Sequence, residues 1–389
     1  MDPLANPYTP GAGKTPLHLS GRSEEITRFE ILMARAKRGL IDRGIIYTGL
    51  RGVGKTVLLR YLRDKARENG FLAVFLESSA SDRTKGYKYA LEQLLTAING
   101  ELKRTQRRHP SEGIKRALQS ISSFSLSLGI TGPALSATFT AEDDSLGVSS
   151  LSESIEEITL NLAEEGTGFF LFIDEFQEMN DELIDQLILT QHHLGAENQP
   201  FFIIGAGLPT LTSQLGRIKS YTERLFEYQK VEALSEAGAQ EAFTKPAQEM
   251  KASYSSPALA LLLEASGRYP FFIQEFGQAI WELAETSPFS ALDAERAIDI
   301  GTQRLDHGFF ESRWSNATNA GKNYMKAMAE DNGFPSQVSI VAQRLQKATN
   351  QLSVIRNQLI SKGLIYSPGH GMVAFTVPGM ADYVKRQQD

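Results

Sequence analysis

Eight consecutive residues carry the clearest chemistry in this chain: Gly49, Leu50, Arg51, Gly52, Val53, Gly54, Lys55 and Thr56, spaced G-x-x-x-x-G-K-T. Glycines at these positions let a backbone curl until its N–H groups point at a phosphate. The lysine then reaches the β and γ oxygens, and the threonine hydroxyl reaches Mg²⁺. With Val57 this stretch is the predicted cradle. Such a loop needs a carboxylate opposite it to hold the metal, and preferably a second one to activate water. GFFLFIDEFQEM supplies both. Asp174 is the candidate metal ligand, directly or through water, and Glu175 is the candidate base. The cofactors this chemistry implies are ATP and Mg²⁺.

The elements around these residues suit the task. GIIYT is a short β-type run leading in, and VLLRYLRDKARENG leads out with apolar residues at helical spacing and Gly70 as its stop. Free N–H groups at the start of that helix favour an anion. A second G-x-G-K-T lies upstream in PGAGKTPL, but Tyr8 stands where the first glycine should be, and Pro16 directly follows Thr15. The residue before a proline is biased away from helix, so this stretch is expected to be a loop in an arm (1–20), without a phosphate site of its own. Phe169–Ile173 is the continuous apolar run of a strand buried on both faces. FLAVFLE (71–77), PFFIIGAG (200–207) and YQKVEAL (228–234) add further strands between helical stretches. The expected fold is α/β, a doubly wound parallel sheet with its ligand at the carboxyl ends of the strands.

Bulk composition narrows the rest. A chain of 389 residues with 41% hydrophobic and 22% charged residues can build two or three globular domains. No apolar run is long enough for a membrane helix, and MDPLANPYTP lacks the basic and apolar regions of a secretory signal. Without cysteine there are no disulfides or thiolate metal sites, which fits a cytoplasmic protein. H-E-x-x-H, EF-hand and nucleophile-elbow patterns are absent from the sequence. The adjacent His192 and His193 point to different helix faces and make a poor metal pair.

The order of phosphate loop, Asp-Glu strand, fourth strand and SYTERLF resembles an AAA+ or STAND ATPase, nearest the origin-recognition type, over residues 20–300. GRSEEITRFE (21–30) resembles that group's entry motif, and SGRYPFFIQEFG (266–277) its helical lid. The resemblance implies that Arg22 lies near the adenine and that Arg268 or Pro270 lies over the phosphates or base. It also implies homo-oligomers built through the ATP sites, with Arg224 as a finger offered to a neighbouring subunit and Arg217 as the weaker alternative. Arg224 could equally pair with Glu223 or Glu227. In one respect the sequence departs from the group. Its fourth strand ends Ile203-Ile204-Gly205-Ala206-Gly207, without a polar side chain to orient water. Either neighbouring groups substitute or hydrolysis is slow, as in a switch.

The expected boundaries are an ATPase domain (21–234), a lid (235–305) and a C-terminal domain (310–389). Within the first, residues 121–141 alternate apolar and small residues around Gly132-Pro133, which predicts a β-hairpin. The basic stretch before it is either a contact surface or a solvated linker. The last domain offers three helical segments and then LIYSPGHGMVAFTV, a pattern that resembles a winged helix-turn-helix. Asp and Glu are absent from 332–381 while Arg344, Lys347, Arg356, Lys362 and His370 are present, so this face is locally basic. In that geometry Asn350, Gln351 and Ser353 would face base edges or nearby phosphates of double-stranded DNA. Lys347, Arg356, Asn357 and Lys362 would contact its backbone, with His370 in the wing. A protein partner on the same unit is the alternative.

Overall fold

A five-stranded parallel sheet in the order β2–β3–β4–β1–β5 positions everything else in this computed structural model, which describes residues 1–11, 13–127 and 143–387. Its strands are the apolar runs of the sequence: β1 (Gly44–Thr48), β2 (Leu72–Glu77), β3 (Phe169–Asp174), β4 (Phe201–Gly207) and β5 (Phe226–Lys230). Strand β5 begins and ends earlier than expected because it pairs Gly44 with Phe226 and Thr48 with Lys230. Strand β4 lies between β1 and β3, with Ile45 opposite Ile204 and Phe170 opposite Phe202. The loops after β1 and β3 therefore emerge at the same edge, one strand apart.

Period-two alternation sends successive β3 side chains to opposite faces. Phe170 and Phe172 meet Phe29, Leu32, Leu58 and Leu62 of α1 (Ser23–Ala36) and α2 (Lys55–Glu68). Leu171 and Ile173 face the other layer, formed by α3 (Ala80–Lys85), α4 (Tyr87–Arg108), α5 (Glu112–Ser127), α6 (Asp143–Ala163) and α7 (Asp181–Ala196). Two short helices, α8 (Leu211–Ile218) and α9 (Thr222–Leu225), lead from β4 to β5.

The predicted hairpin needs correction. Residues 121–127, its first arm, are the last turns of α5. Ile114, Ala117, Ile121 and Phe124 are all buried, at the 3–4–3 spacing of one helix face, and that period overrides the local alternation. The second arm falls within 128–142, outside the described residues.

The chain then builds a helical unit, α10 (Glu236–Glu249), α11 (Ser256–Ser266), α12 (Pro270–Leu283) and α13 (Ala291–Leu305). A π turn at Asp306–Phe310 follows, and then α14 (Glu311–Ser315). The C-terminal unit contains α15 (Asn319–Ala329), capped by Thr318, then β6 (Ser336–Gln337), α16 (Val338–Arg344) and α17 (Ser353–Ser361). Strands β7 (Ile365–Tyr366) and β8 (Met372–Phe375) and helix α18 (Met380–Arg386) complete it. Its antiparallel sheet, ordered β6–β8–β7, and its first three helices are compatible with a winged helix. The third helix opens with a 3-10 turn at Thr349–Leu352, so its regular part starts later than the sequence suggests.

These two helical units share one apolar core, in which Phe272 contacts Phe310 and Phe310 stacks on Tyr383 at 5.3 Å. The N-terminal arm enters the same core. Tyr8 is 1% exposed, its ring fills the space left by Gly277, and its hydroxyl donates to the Phe243 carbonyl. Removing this ring should leave a cavity, so Tyr8→Ala is expected to cost about 3–5 kcal/mol. The expected result is a lower urea midpoint followed by tryptophan emission, since Trp281 and Trp314 both pack in or against this core.

Candidate nucleotide site

The loop between β1 and α2 curls as its glycines require. Gly52 (φ 85°) and Gly54 (φ 90°) adopt left-handed backbone that other residues rarely tolerate. A Cβ at Gly49 would fall 2.1 Å from the Val231 carbonyl oxygen. Helix α2 starts at Lys55, and no acidic side chain competes for the N–H groups of its first turn. The loop floors a cavity of about 440 Å³ that also holds Asp174, Glu175, Pro270 and Arg313.

Buried charge defines the site. Lys55 is 6% exposed, and its Nζ donates to the carbonyls of Gly49 (3.0 Å) and Leu50 (2.8 Å). Burial lowers its pKa to about 8, against the pull of Glu175 and Asp174 and with the push of Arg51. Asp174 is buried at the carboxyl end of β3, and burial holds its carboxyl above the usual range while a hydrogen bond from Thr56 opposes the rise. A buried carboxylate and a hydroxyl in contact make a hard oxygen pair of the kind Mg²⁺ prefers. Glu175 follows in a left-handed conformation (φ 47°, ψ 42°), a strain often kept at functional sites. Its carboxylate accepts from Gln177 Nε2 at 2.5 Å and lies 4.0 Å from Arg51.

Gln177 was not singled out by the sequence. Its Oε1 accepts from the Leu208 N–H at 3.0 Å, and a Cβ on Gly207 would strike that same oxygen. A buried amide thus links the end of β4 to Glu175, in the place where the fourth strand lacks a polar side chain. The only sequence signal was its position two residues after Glu175.

Other predicted residues are distributed as follows. Arg22 lines the cavity and is buried, donating to the carbonyls of Val53 (2.8 Å) and Glu232 (2.7 Å) and to Glu25, so its guanidinium braces the loop from behind. Pro270, at the start of α12, packs over Gly54, whereas Arg268 is exposed and outside the cavity. Arg224 and Arg217 are both exposed and away from the cavity. Glu227, one of the acids weighed as a partner for Arg224, is instead bonded to Arg28 at 2.7 Å. Around the upstream repeat, residues 11 and 13–15 lie outside helix and strand, as expected, yet Gly13 and Lys14 line the same cavity, and Arg60 donates to the Gly13 carbonyl at 2.7 Å. Lys347, Asn350, Gln351, Asn357, Lys362 and His370 are exposed on the C-terminal unit, while Ser353 and Arg356 are half-buried. Arg344 does not join this basic face, because it pairs with Asp331 (2.6 Å) and Glu330 (2.9 Å) just outside the acid-free run.

Strand order, glycine loop and buried carboxylate together define a P-loop ATPase fold of the AAA+ type. Residues 18–204 match the AAA ATPase domain family. Residues 307–384 match a domain of unknown function (DUF8462). No curated protein matches the chain. Among solved structures, the Walker-type ATPase PABY2304 of Pyrococcus abyssi is similar at 17% identity, covering 94% of this chain and 96% of that one, with a TM-score of 0.60. Looser likenesses include the Thermotoga maritima RuvB Holliday junction branch migration motor, at 13% identity, 94% and 95% coverage and a TM-score of 0.46. The Aeropyrum pernix ORC1 protein in complex with DNA matches at 16%, 96% and 94%, and 0.45.

Two outcomes follow from this geometry. Bound phosphates favour protonated Lys55, so ATP affinity should be full below pH 8. It should fall as pH rises beyond that, by up to about tenfold per unit. Calorimetry in two buffers of different ionisation enthalpy should detect proton uptake on binding above pH 8. Gln177→Leu should lower the ATPase kcat by about tenfold or more while leaving KM nearly unchanged, because it frees Glu175 without touching the loop. A steady-state titration separates the two constants.

Proposed function

We propose that the protein binds and slowly hydrolyses Mg·ATP and uses the nucleotide as a switch that sets the position of its C-terminal unit, which contacts double-stranded DNA. In this reading Lys55 and the loop amides from Gly49 to Val57 hold the phosphates, Thr56 and Asp174 hold the metal, and Glu175, oriented by Gln177, takes the proton from the attacking water. Bound Mg²⁺ would neutralise charge on the phosphate oxygens. Arg224, exposed at α9, is left for a neighbouring copy. The observation that carries the switch is a direct hydrogen bond from the Arg51 N–H, inside the phosphate loop, to the Thr376 carbonyl of the C-terminal unit at 3.0 Å.

A second reading, in which the C-terminal unit meets a protein, is favoured by two features. The basic face is diminished, with Arg344 neutralised and Lys362 donating to the Asn316 carbonyl at 2.7 Å. Exposed Phe334, Ile340 and Val354 also lie on this unit.

Duplex binding by Glu175→Gln, loaded with ATP or ADP across a salt series, separates the two readings. The expected result is tighter binding in one nucleotide state, with log K falling at about −0.9 per phosphate for roughly three to five contacts. Absence of binding in both states at low salt would remove the DNA reading and leave the protein one.

A further inference from the structure

The upstream G-x-G-K-T cannot form a phosphate loop of its own, yet it reaches the nucleotide cavity from the N-terminal arm. It lies before residue 18, where the match to the AAA ATPase domain family starts. The arm is fixed on both sides of the cavity. On the helical unit, Trp281 Nε1 donates to the Asp2 carbonyl at 2.8 Å and the Thr9 N–H donates to Gln274 Oε1 at 3.0 Å. The buried Tyr8 hydroxyl lies 2.6 Å from that of Tyr254. On α2, Arg60 donates to the Gly13 carbonyl at 2.7 Å, and its other terminal nitrogen lies 3.5 Å from Glu77.

Gly13 makes the closest approach. Its backbone is left-handed (φ 66°), and a Cβ there would come within 2.8 Å of Arg60 Nη1 and 3.0 Å of Thr56 Cγ2. Glycine therefore lets the arm lie directly against the residue that ends the phosphate loop. Lys14 comes next. It is exposed and lines the cavity, and its aliphatic stem folds along Gly11, where a Cβ would meet Cδ at 3.1 Å. Among the described residues Lys14 has no ion-pair partner, and Glu77, an acid of the same cavity wall, is paired with Arg60 instead.

Most exposed lysines are simply solvated. Lys14 differs because the chain is held on both sides of it, by the Gly13 bond to α2 and by His18, which meets Glu249 of α10 at 2.5 Å. Its ammonium is thereby confined to the mouth of a cavity suited to a polyanion. In a phosphate loop the backbone N–H groups cradle the α- and β-phosphates, and the loop lysine reaches outward to β and γ. The arm meets the start of α2 at Thr56 and, one turn on, Arg60. A cation carried there serves the inner phosphates, which ATP and ADP share.

We propose that Lys14 is a second phosphate-binding lysine, brought by the N-terminal arm to the α- and β-phosphates of the bound nucleotide, with Gly13 and Arg60 as its positioning residues. The proposal rests on the nucleotide reading above and adds to that site a part that precedes the matched ATPase span. An ammonium suits this task, because it is a compact charge with three rotatable donors and needs no planar fit.

The test measures Mg·ATP and Mg·ADP binding to the full-length protein by calorimetry, with Lys55→Ala as the control for the loop. Lys14→Ala should weaken both nucleotides alike, by about five- to thirtyfold, through loss of charge-assisted contacts. Lys14→Arg should stay within about threefold of the parent, and Lys14→Glu should bind more weakly than Lys14→Ala. A packing role would not rank the variants by charge. Gly13→Val removes no charge but forces the arm away from α2, so it should weaken both nucleotides as Lys14→Ala does. Adding Lys14→Ala to Gly13→Val should then cost less than about twofold more. Melting temperatures without nucleotide should match the parent's in the Lys14 variants, since the side chain is exposed. Parent-like affinity in Lys14→Ala or Gly13→Val, an order that ignores charge, or weakening confined to ATP would overturn this proposal and leave the nucleotide reading standing. If the parent binds neither nucleotide, or Lys55→Ala binds both as well as the parent does, the nucleotide reading falls and this proposal with it.

Discussion

The backbone of the loop between β1 and α2 is the point on which every other part of the molecule is hung. The Gly49 N–H bonds the end of β4, and the Val53 carbonyl takes the buried Arg22 from the entry to α1. The Gly52 carbonyl takes the Phe271 N–H of α12, and the Arg51 N–H bonds Thr376 of the C-terminal unit. The loop's own Lys55 ties Gly49 and Leu50 together. Four separate segments thus meet one loop of eight residues, each through a main-chain group of the loop. Backbone groups have fixed positions once φ and ψ are set, so this arrangement depends on Gly52 and Gly54 holding their left-handed conformations. A side chain at either position would disturb the anion cradle and the mutual orientation of the other segments together.

Around that loop the protein keeps charge in places where charge is costly. Lys55 and Asp174 are nearly inaccessible and each is pushed toward its neutral form by burial, while their mutual attraction and, for Asp174, the hydrogen bond from Thr56 oppose the change. A buried ion that is only partly compensated is poised for a counter-charge. The same logic accounts for Gln177. The fourth strand must be glycine at Gly205 and Gly207, because Phe176 and Gln177 occupy the space a Cβ would need. The polar group beside that strand end is therefore the Gln177 amide, which accepts from the Leu208 N–H and donates to Glu175.

The C-terminal unit is bound to the helical unit by a continuous apolar core and to the phosphate loop by a few polar contacts. These two attachments differ in kind. Apolar burial is non-directional and tolerates small rotations, whereas a hydrogen bond to Arg51 is satisfied in one position only. The N-terminal arm reinforces this scheme: Tyr8 locks it into the helical unit, and the Gly13 carbonyl touches Arg60 of α2.

The sequence by itself determined what depends on neighbours along the chain. Glycine spacing specified the loop, the apolar run ending at Asp174 specified a buried strand with a carboxylate at its tip, and the helix and strand patterns of the C-terminal unit were legible apart from β6, the 3-10 turn and α18. Local rules govern these features, because φ, ψ and burial period are set within a few residues. The same local reading failed at 121–127, where two periods competed and the helix face formed by Ile114, Ala117, Ile121 and Phe124 prevailed through packing. Only the tertiary structure decided the rest: that Gln177 links the end of β4 to Glu175, that Arg344 is spent on Asp331, that Pro270 rather than Arg268 covers the loop, and that Arg313 enters the cavity some 260 residues downstream of Arg51. Each is a meeting of residues distant in sequence, fixed by which strand lies beside which and by a shared apolar core, and no spacing rule along one chain encodes such a meeting.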